Sequence, residues 1–375
     1  MNAPRVALVH DWLNQHGGAE RVLEHLVRLY PGAPVFTSIY WGAGMPAAYA
    51  AWDIRTLWID RLPGIHSHHQ AYFPFFALAF GGLRIPPDYD VVLSNKSGFC
   101  HAVDTGTLPH VCYCLAPTRY VWEFEAYAQR EALPGWAKVL IRPVVALLRR
   151  WDYAVAQRPA TRYVAISRDI QQRIRTYYHR DSEIVHPPVD ISRYAPALRP
   201  DDYYLVVSRL VPYKRIDLAV RACSELGLPL VVAGEGRDRP VLERLAGPTV
   251  RFVGRVSEAK LPELFARCKA FIFPGREDFG IAPLEAQASG RPVIAYRAGG
   301  ALDTVVEGVT GTFFDEPTVQ ALTATLARFD ANEIEPLACR RNAERYAPEV
   351  FQERLSEQIN VALSRGRSTA ASVTS

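Results

Sequence analysis

Short apolar runs alternate with helix-length segments along almost the whole chain, and this alternation limits the possible folds more than any other feature. The runs are RVALVHDW, VVLSN, HVCYCL, RYVAIS, YYLVVSRL, LPLVVAGEG, VRFVGRV, KAFIFPG and RPVIAYRAGG. Such alternation is typical of βαβ units and parallel sheets. Runs such as VVLS have no polar face, which indicates strands covered by helices on both sides. The sequence therefore predicts an α/β fold.

A proline-rich stretch, VHPPVDISRYAPALRPDDYY, separates two halves of similar size. Prolines disfavour helices and central strands, and 375 residues suffice for two cores. We predict two doubly wound, Rossmann-like domains, at residues 1–190 and at residues 201–346. Ligands of such sheets bind beyond the carboxyl ends of the strands, so we expect the domains to face a cleft. A helix over 347–365 and a disordered tail over 366–375 complete the prediction.

Charge, cysteine content and hydropathy exclude several classes of protein. The net charge of +4 suits an anionic small molecule or an anionic membrane surface, whereas nucleic acid requires a denser basic patch. The six cysteines indicate free thiols rather than disulfides, and Cys112 and Cys114 have no second pair with which to bind zinc. The sequence contains no apolar run of membrane-spanning length, and it begins without a signal-peptide pattern. We therefore expect a cytoplasmic protein.

The segment FPGREDFGIAPLEAQASGRPVIAYRAGG contains two carboxylates beside many small residues. KAFIFPG predicts a buried strand, and Pro283 is well placed in the first turn of a following helix that stops at Ser289-Gly290. Glu277 is then expected in the loop and Glu285 in the first helical turn.

Backbone amides at the start of this predicted helix would form an anion site. The residues concerned are Phe279, Gly280 and Ile281. Glu277 and Glu285 would repel a phosphate there unless they face other parts of the same ligand, such as sugar hydroxyls. This arrangement favours a sugar nucleotide. The alternative is that Glu285 only complements the helix dipole and Glu277 is a solvated loop charge.

Two further loops could contact such a ligand. VVSRLVPYKRIDLAV places Arg209 and Lys214 after a strand, where they could neutralise a diphosphate, although a solvated basic loop is also possible. Gly17 and Gly18 follow the first strand and would let backbone amides approach a ligand, although a tight turn explains them equally well.

These motifs, with VVAGEG, FVGRV and GRPVIAYRAGGALDTVVEGVTGTFF, resemble the retaining GT-B glycosyltransferases of family four over nearly the whole C-terminal half. HDWLNQHGGAERVLE, CYCLAPTRYVWEFE and YVAISRDIQQRIRTYYHRDSEIVHPPVD resemble the bacterial mannosyltransferases of O-antigen and exopolysaccharide assembly. The resemblance implies a retaining hexosyltransferase whose terminal helix returns to the N-terminal domain. It implies that the domain at 1–190 binds the acceptor and that the domain at 201–346 binds the nucleotide sugar. It also implies GDP-mannose as the donor and a lipid-linked or oligosaccharide acceptor, with possible peripheral membrane contact.

The resemblance further implies roles for single residues. Arg209 and Lys214 would bind the diphosphate as it leaves, and Glu277 would hold the donor sugar. The remaining contacts to the sugar nucleotide would come from Gly17, Gly18, Gly234, Gly236, Arg255, Val256, Phe279, Gly280, Ile281 and Glu285.

No metal and no cofactor are expected, because Arg and Lys take the place of a metal ion on the diphosphate. Asp88-Tyr89-Asp90 has the form of a metal-binding D-x-D, but it directly precedes the strand VVLSN, at the end away from the expected site. His66, His68 and His69 are expected to form a polar loop, since we find no carboxylate or cysteine at ligand spacing beside them.

Leu115-Ala116-Pro117 departs from the family, which often has His-Thr-Pro at this place. A leucine cannot donate a hydrogen bond to the sugar, so a 6-deoxy sugar or a UDP-sugar remains an alternative donor. A non-catalytic protein that binds sugar nucleotides is another alternative. A nicotinamide oxidoreductase is disfavoured, because GEGRDR lacks the third glycine of a dinucleotide motif.

The segment WAKVLIRPVVALLRRWDY combines basic residues with Trp and Leu and contains no acidic residue before Asp152. This composition suits a membrane interface. A core helix with a cationic final turn is the alternative.

Overall fold

The computed structural model describes residues 4–130, 134–197 and 199–373, and the chain divides into two compact units. The N-terminal unit extends to His186 and resumes at Phe351, and the C-terminal unit runs from Pro187 to Val350. Each contains a parallel sheet flanked by helices, so the predicted fold class is confirmed.

The N-terminal unit contains a seven-stranded sheet in the order β3-β2-β1-β4-β5-β6-β7. Its strands are β1 (Val6–His10), β2 (Val35–Thr37), β3 (Ile54–Thr56), β4 (Val91–Lys96), β5 (His110–Cys114), β6 (Thr161–Ala165) and β7 (Ser182–Ile184). Its helices include α1 (Gly18–Leu29), α2 (Ile65–His68), α3 (Phe73–Gly81), α4 (Arg119–Trp122), α5 (Phe124–Arg130), α6 (Gly135–Ala156) and α7 (Arg168–Tyr178). Every residue of β1, β4 and β5 is buried, as expected for a sheet covered on both faces.

The C-terminal unit contains a six-stranded sheet in the order β10-β9-β8-β11-β12-β13. Its strands are β8 (Tyr204–Val207), β9 (Leu230–Ala233), β10 (Val250–Gly254), β11 (Ala270–Phe273), β12 (Val293–Tyr296) and β13 (Gly311–Phe314). Its helices are α8 (Ile216–Leu226), α9 (Arg239–Leu245), α10 (Leu261–Arg267), α11 (Ile281–Ala288), α12 (Ala301–Thr304), α13 (Val319–Arg328) and α14 (Pro336–Glu344), and α15 (Pro348–Val373) follows. The proline-rich stretch after Pro187 packs on this unit, where Tyr194 lies against Phe265.

Strand order creates a switch point in each sheet. In the C-terminal unit the chain moves from β8 outward through β9 to β10, and then returns to build β11 on the other side of β8. The loops that follow β8 and β11 therefore leave the sheet side by side and diverge to opposite sides. Ligands of doubly wound sheets bind at such a point.

The terminal helix α15 belongs mainly to the N-terminal unit, as the family resemblance implied. The Phe351 ring lies edge-on to His25 and to Tyr113, and Leu355 and Ile359 are buried. The helix continues to Val373, whereas the sequence predicted a disordered tail over 366–375. Alanine favours a helix, so a composition rich in small residues does not by itself end the helix. Thr374 and Ser375 lie outside the described residues.

The sequence did not predict every strand. β2, β3 and β7 have three residues each and lie toward the outer parts of the sheet, so their apolar signal is too short to recognise.

All six cysteines are buried free thiols, with Cys112 and Cys114 in β5 as expected. None of the described helices is both long enough and apolar enough to cross a membrane.

A cluster of buried polar side chains lies among the N-terminal helices. Asp152 of α6 accepts hydrogen bonds from the Trp122 indole (2.6 Å), the Tyr178 hydroxyl (2.8 Å) and the Thr118 hydroxyl (3.3 Å). The Lys96 ammonium donates to Thr118 Oγ1 at 3.2 Å, and it is fully buried. Burial raises the pKa of the Asp152 carboxyl, and Lys96 opposes this rise. The cluster thus joins β4, α4, α6 and α7 through one carboxyl group.

Candidate active site in the C-terminal unit

The candidate site lies where the loops after β8, β9, β11 and β12 meet. Gly275 packs so closely on the loop after β8 that a Cβ there would lie 2.7 Å from the Lys214 carbonyl oxygen. Gly300 donates a hydrogen bond to the Glu277 carbonyl at 2.8 Å. The loops after β8, β11 and β12 are therefore packed against one another at the carboxyl edge of the sheet.

The loop after β8 presents the two predicted cations. A single 3-10 turn spans Pro212–Lys214 and ends at Arg215, whose φ of 52° is left-handed and starts α8. The Tyr213 hydroxyl accepts a hydrogen bond from the Arg209 guanidinium at 3.2 Å. The Lys214 ammonium lies over the Tyr213 ring, 5.5 Å from its centre. Tyr213 thus contacts both cations.

The loop after β11 presents Glu277, which forms an ion pair with Lys214. Both side chains are largely shielded from solvent. The pair joins the two loops that flank the switch point, and partial burial makes its charges interact more strongly than on an open surface. The structure therefore brings together two of the three predicted catalytic residues, and Tyr213 links the third, Arg209, to them.

Helix α11 begins at Ile281, directly after Gly280, whose φ of 90° favours glycine. The amides of its first turn have no partner within the helix, which is the geometry that the predicted anion site requires. Glu285 is the fifth residue of the helix and is buried, which places it in the second turn rather than in the first turn that the sequence predicted. Phe279 is buried, and its backbone packs against Gly300.

Gly234 and Gly236 follow β9 and pack against the loop after β8. A Cβ at residue 234 would lie 1.8 Å from the Ser208 carbonyl oxygen, and one at residue 236 would lie 2.1 Å from the Leu210 oxygen. Only glycine fits at these two positions. They thus have a packing role in addition to the ligand contact that the resemblance implied.

Arg255 and Val256 follow β10, the edge strand. The Gly234 amide donates to the Gly254 carbonyl at 2.8 Å, which ties this loop to the one after β9. Arg255 is exposed, whereas Val256 packs partly on the core beside Phe265.

Gly17 and Gly18 belong to the N-terminal unit, where Gly17 caps α1 and Gly18 is its first residue. The Gly17 amide donates to Glu20 at 2.8 Å, and the other oxygen of that carboxylate lies 3.5 Å from His10 at the end of β1. Gly17 therefore has a partner within its own turn. This agrees with the alternative that Gly17 and Gly18 form a tight turn.

Three residues of the site were not predicted from the sequence: Tyr213, Gly299 and Gly300. A Cβ at residue 300 would lie 2.1 Å from Phe279 Cα, and one at 299 would lie 2.3 Å from the Glu277 carbonyl oxygen. The signal for the glycines was the doublet in YRAGGALD, and for Tyr213 its position one residue before Lys214.

The candidate metal motifs lie elsewhere. Asp88 is exposed before β4, and Asp90 accepts a hydrogen bond from the Arg5 amide at 2.7 Å. His66 Nε2 lies 2.9 Å from Asp60 Oδ1. This contact was not predicted, because Asp60 is six residues before His66 in the sequence. Within the described parts of the chain, no three His, Cys, Asp or Glu side chains cluster as metal ligands.

Two doubly wound units in one chain form the architecture of the GT-B fold, and the loops at the second switch point bring an arginine and a lysine beside a glutamate. Residues 193–346 match the family described as Glycosyl transferases group 1. The chain therefore contains a domain of that family, and the predicted resemblance to glycosyltransferases is confirmed.

Two proteins of similar sequence are named as mannosyltransferases. The chain is 32% identical over 193 residues to a GDP-mannose-dependent alpha-(1-6)-phosphatidylinositol monomannoside mannosyltransferase of Mycolicibacterium smegmatis, covering 43% of this chain and 50% of that protein. It is 39% identical over 140 residues to a GDP-mannose-dependent alpha-mannosyltransferase of the same organism, covering 34% and 37%. The matched region thus spans half or less of these relatives.

Solved structures share the fold over nearly the whole chain. Anabaena HepE, determined with UDP and glucose, superposes with a TM-score of 0.69 at 18% identity and covers 96% of this chain and 100% of its own. Sucrose-phosphate synthase from Thermosynechococcus elongatus superposes with a TM-score of 0.71 at 14% identity, with the same coverage.

Proposed function

We propose that the protein is a retaining hexosyltransferase that moves mannose from GDP-mannose to a hydroxyl group of a lipid-linked or oligosaccharide acceptor in bacterial surface polysaccharide synthesis. The observation that carries the proposal is the Lys214–Glu277 ion pair beside Arg209 at the switch point of the second sheet. A cation pair suits a diphosphate, and a carboxylate held beside it suits sugar hydroxyls.

The proposed reaction divides the work among these groups. Arg209 and Lys214 hold the diphosphate and stabilise the charge that develops as the bond from the sugar carbon to the phosphate oxygen breaks. The acceptor oxygen forms its bond to the same face of that carbon, and the departing phosphate oxygen takes the acceptor proton. Glu277 orients the sugar through its hydroxyls, the amides at the start of α11 contact sugar or phosphate, and Glu285 accepts hydrogen bonds from the ribose.

GDP-mannose is the first choice of donor, since two relatives of related sequence are named as GDP-mannose-dependent. A 6-deoxy sugar nucleotide is the alternative, because Leu115 offers no hydrogen bond. Leu115 is only 9% exposed, so any contact with a donor would involve little of its side chain.

Incubation with a panel of nucleotide sugars tests the proposal. GDP-mannose should release GDP faster than UDP-glucose releases UDP, and addition of an acceptor should increase the rate. Release of UDP alone would reassign the donor. Tight binding of a nucleotide sugar without release in the presence of acceptor extracts would instead support a non-catalytic binding protein.

The donor assignment leads to a prediction for Leu115→His. If residue 115 faces the donor, calorimetry should show that the variant gains about fivefold in affinity for GDP-mannose, which is the contribution of one ordinary hydrogen bond, and loses affinity for a 6-deoxy donor. Leu108→His is a matched control, since Leu108 is partly buried before the amino end of β5. Equal changes in both variants would show that residue 115 has no special relation to the donor.

Activity is expected to be independent of divalent metal. Excess EDTA should leave the rate unchanged, and Asp88→Asn should be nearly silent, because Asp88 is exposed and lies at the amino end of β4. An initial-rate assay with and without added Mg²⁺ or Mn²⁺ measures this. Loss of activity in EDTA that either ion restores would assign a metal to the reaction.

We further propose that the protein works at the inner face of the plasma membrane, where a lipid-linked acceptor would be found. Peripheral contact would hold the acceptor near the N-terminal unit.

A further inference from the structure

Helix α6 of the N-terminal unit has two apolar faces. Its buried residues are Val145, Leu148, Asp152, Val155 and Ala156, and their spacing places them on the side that packs on the core. A second apolar set, Trp136, Val139, Leu140 and Leu147, recurs at intervals of three, four and seven residues on the opposite side. These side chains are 70%, 63%, 68% and 69% exposed. The sequence allowed either a core helix or a membrane interface for this segment. In the structure, one side of the helix packs on the core and the other side is apolar and exposed.

An outward stripe of this kind is unusual on a soluble helix, whose outer face is normally polar. Pro143 lies within the stripe and is exposed as well. Helix α3 packs against α6 and contributes two more exposed apolar side chains, Phe75 and Leu78. We define these residues of α6 and α3 together as the apolar surface.

Basic residues border the apolar surface. Arg150 follows Leu147 by three residues and lies on the same side of α6, while Arg142 and Arg149 are exposed between the two sides. Arg142 pairs with Glu125 at 2.8 Å, and Arg149 donates to the Val121 carbonyl at 2.8 Å. No acidic residue occurs in the sequence between positions 134 and 151. The charge beside the stripe is therefore positive.

We propose that the apolar surface docks on a membrane that contains anionic lipids. Trp136 and the leucines would enter the boundary between head groups and acyl chains, and Arg150 would contact lipid phosphates. The combination of an apolar stripe, a tryptophan and the adjacent Arg150 matches the two requirements of peripheral binding, which are apolar area and attraction to negative charge. The residues of the apolar surface belong to the N-terminal unit, whereas those of the candidate active site belong to loops of the C-terminal unit.

Vesicle co-sedimentation tests the proposal without donor or acceptor, so that its outcome does not depend on the transferase activity. The wild-type protein should bind vesicles that contain phosphatidylglycerol and bind poorly to phosphatidylcholine alone. The double variant Leu140→Asp/Leu147→Asp should lose at least about tenfold in partitioning, and Arg150→Glu should bind less tightly and with smaller sensitivity to salt.

Leu337→Asp provides the matched control, because Leu337 lies on α14 of the C-terminal unit and is 55% exposed. It should bind vesicles as the wild type does, and circular dichroism should show that all variants are folded. As an independent readout, brominated lipid should quench wild-type tryptophan fluorescence more than that of Trp136→Phe.

Three results would overturn the proposal. The wild type could fail to bind anionic vesicles, or the double variant could bind as well as the wild type. Gel filtration could also show a wild-type dimer that the double variant converts to a monomer, which would assign the surface to a second copy of the chain.

Discussion

Replacing Lys214 by alanine is expected to lower kcat by about 100-fold, or about 3 kcal/mol in the barrier, while donor affinity falls much less. The reason is that Lys214 would stabilise charge that grows on the diphosphate as it leaves. Its removal would also leave Glu277 without its cation partner close to a phosphate. Steady-state kinetics and calorimetry on the same preparations measure the two effects.

Lys269→Ala is the control for this variant. Lys269 also pairs with a carboxylate, Asp202, at 3.4 Å, but it lies at the amino end of β11, away from the loops of the site. It should retain wild-type kcat. The double variant Lys214→Ala/Glu277→Gln should lose less than the sum of the two single losses, because the residues are in contact. Wild-type turnover in a folded Lys214→Ala protein would remove the cation from the mechanism.

The second large effect is expected in stability. Asp152→Ala should lower the free energy of unfolding by about 3–5 kcal/mol, since it removes the acceptor for Trp122, Tyr178 and Thr118 and leaves Lys96 buried without its nearby carboxyl group. Urea denaturation followed by circular dichroism measures this loss.

The matched control for Asp152→Ala is Asp104→Ala, which removes an exposed aspartate 3.8 Å from Arg84. An exposed ion pair contributes little, so this variant should lose less than about 1 kcal/mol. Asp152→Asn keeps the size of the side chain and should be less damaging than alanine. Similar losses for Asp104→Ala and Asp152→Ala would show that the buried cluster has no special role in stability.

The sequence was sufficient to predict the elements of the C-terminal site but not the contact between them. The loops after β8 and β11 were recognised because apolar runs precede them and helix signals follow. That Lys214 meets Glu277 depends on β11 lying beside β8, and chain order does not determine strand order. The family resemblance, rather than periodicity, placed the two residues in one site.

Residues whose importance comes from packing were harder to predict. Asp152 looked like the first acid after a basic helix, and only the structure shows three donors directed at it. Glu285 was predicted one helical turn too early. The helix begins two residues before Pro283, so Glu285 is its fifth residue and lies in the second turn. A pattern of residue types indicates the kind of element, whereas burial and partners depend on which elements become neighbours.

The N-terminal unit is completed by the last part of the chain. Phe351, Leu355 and Ile359 of α15 are buried in it, while the whole C-terminal unit is synthesised between His186 and these residues. During translation, the C-terminal unit therefore has its full sequence available before the N-terminal unit does. We therefore expect the N-terminal unit to gain its full stability only after the C-terminal unit has been synthesised.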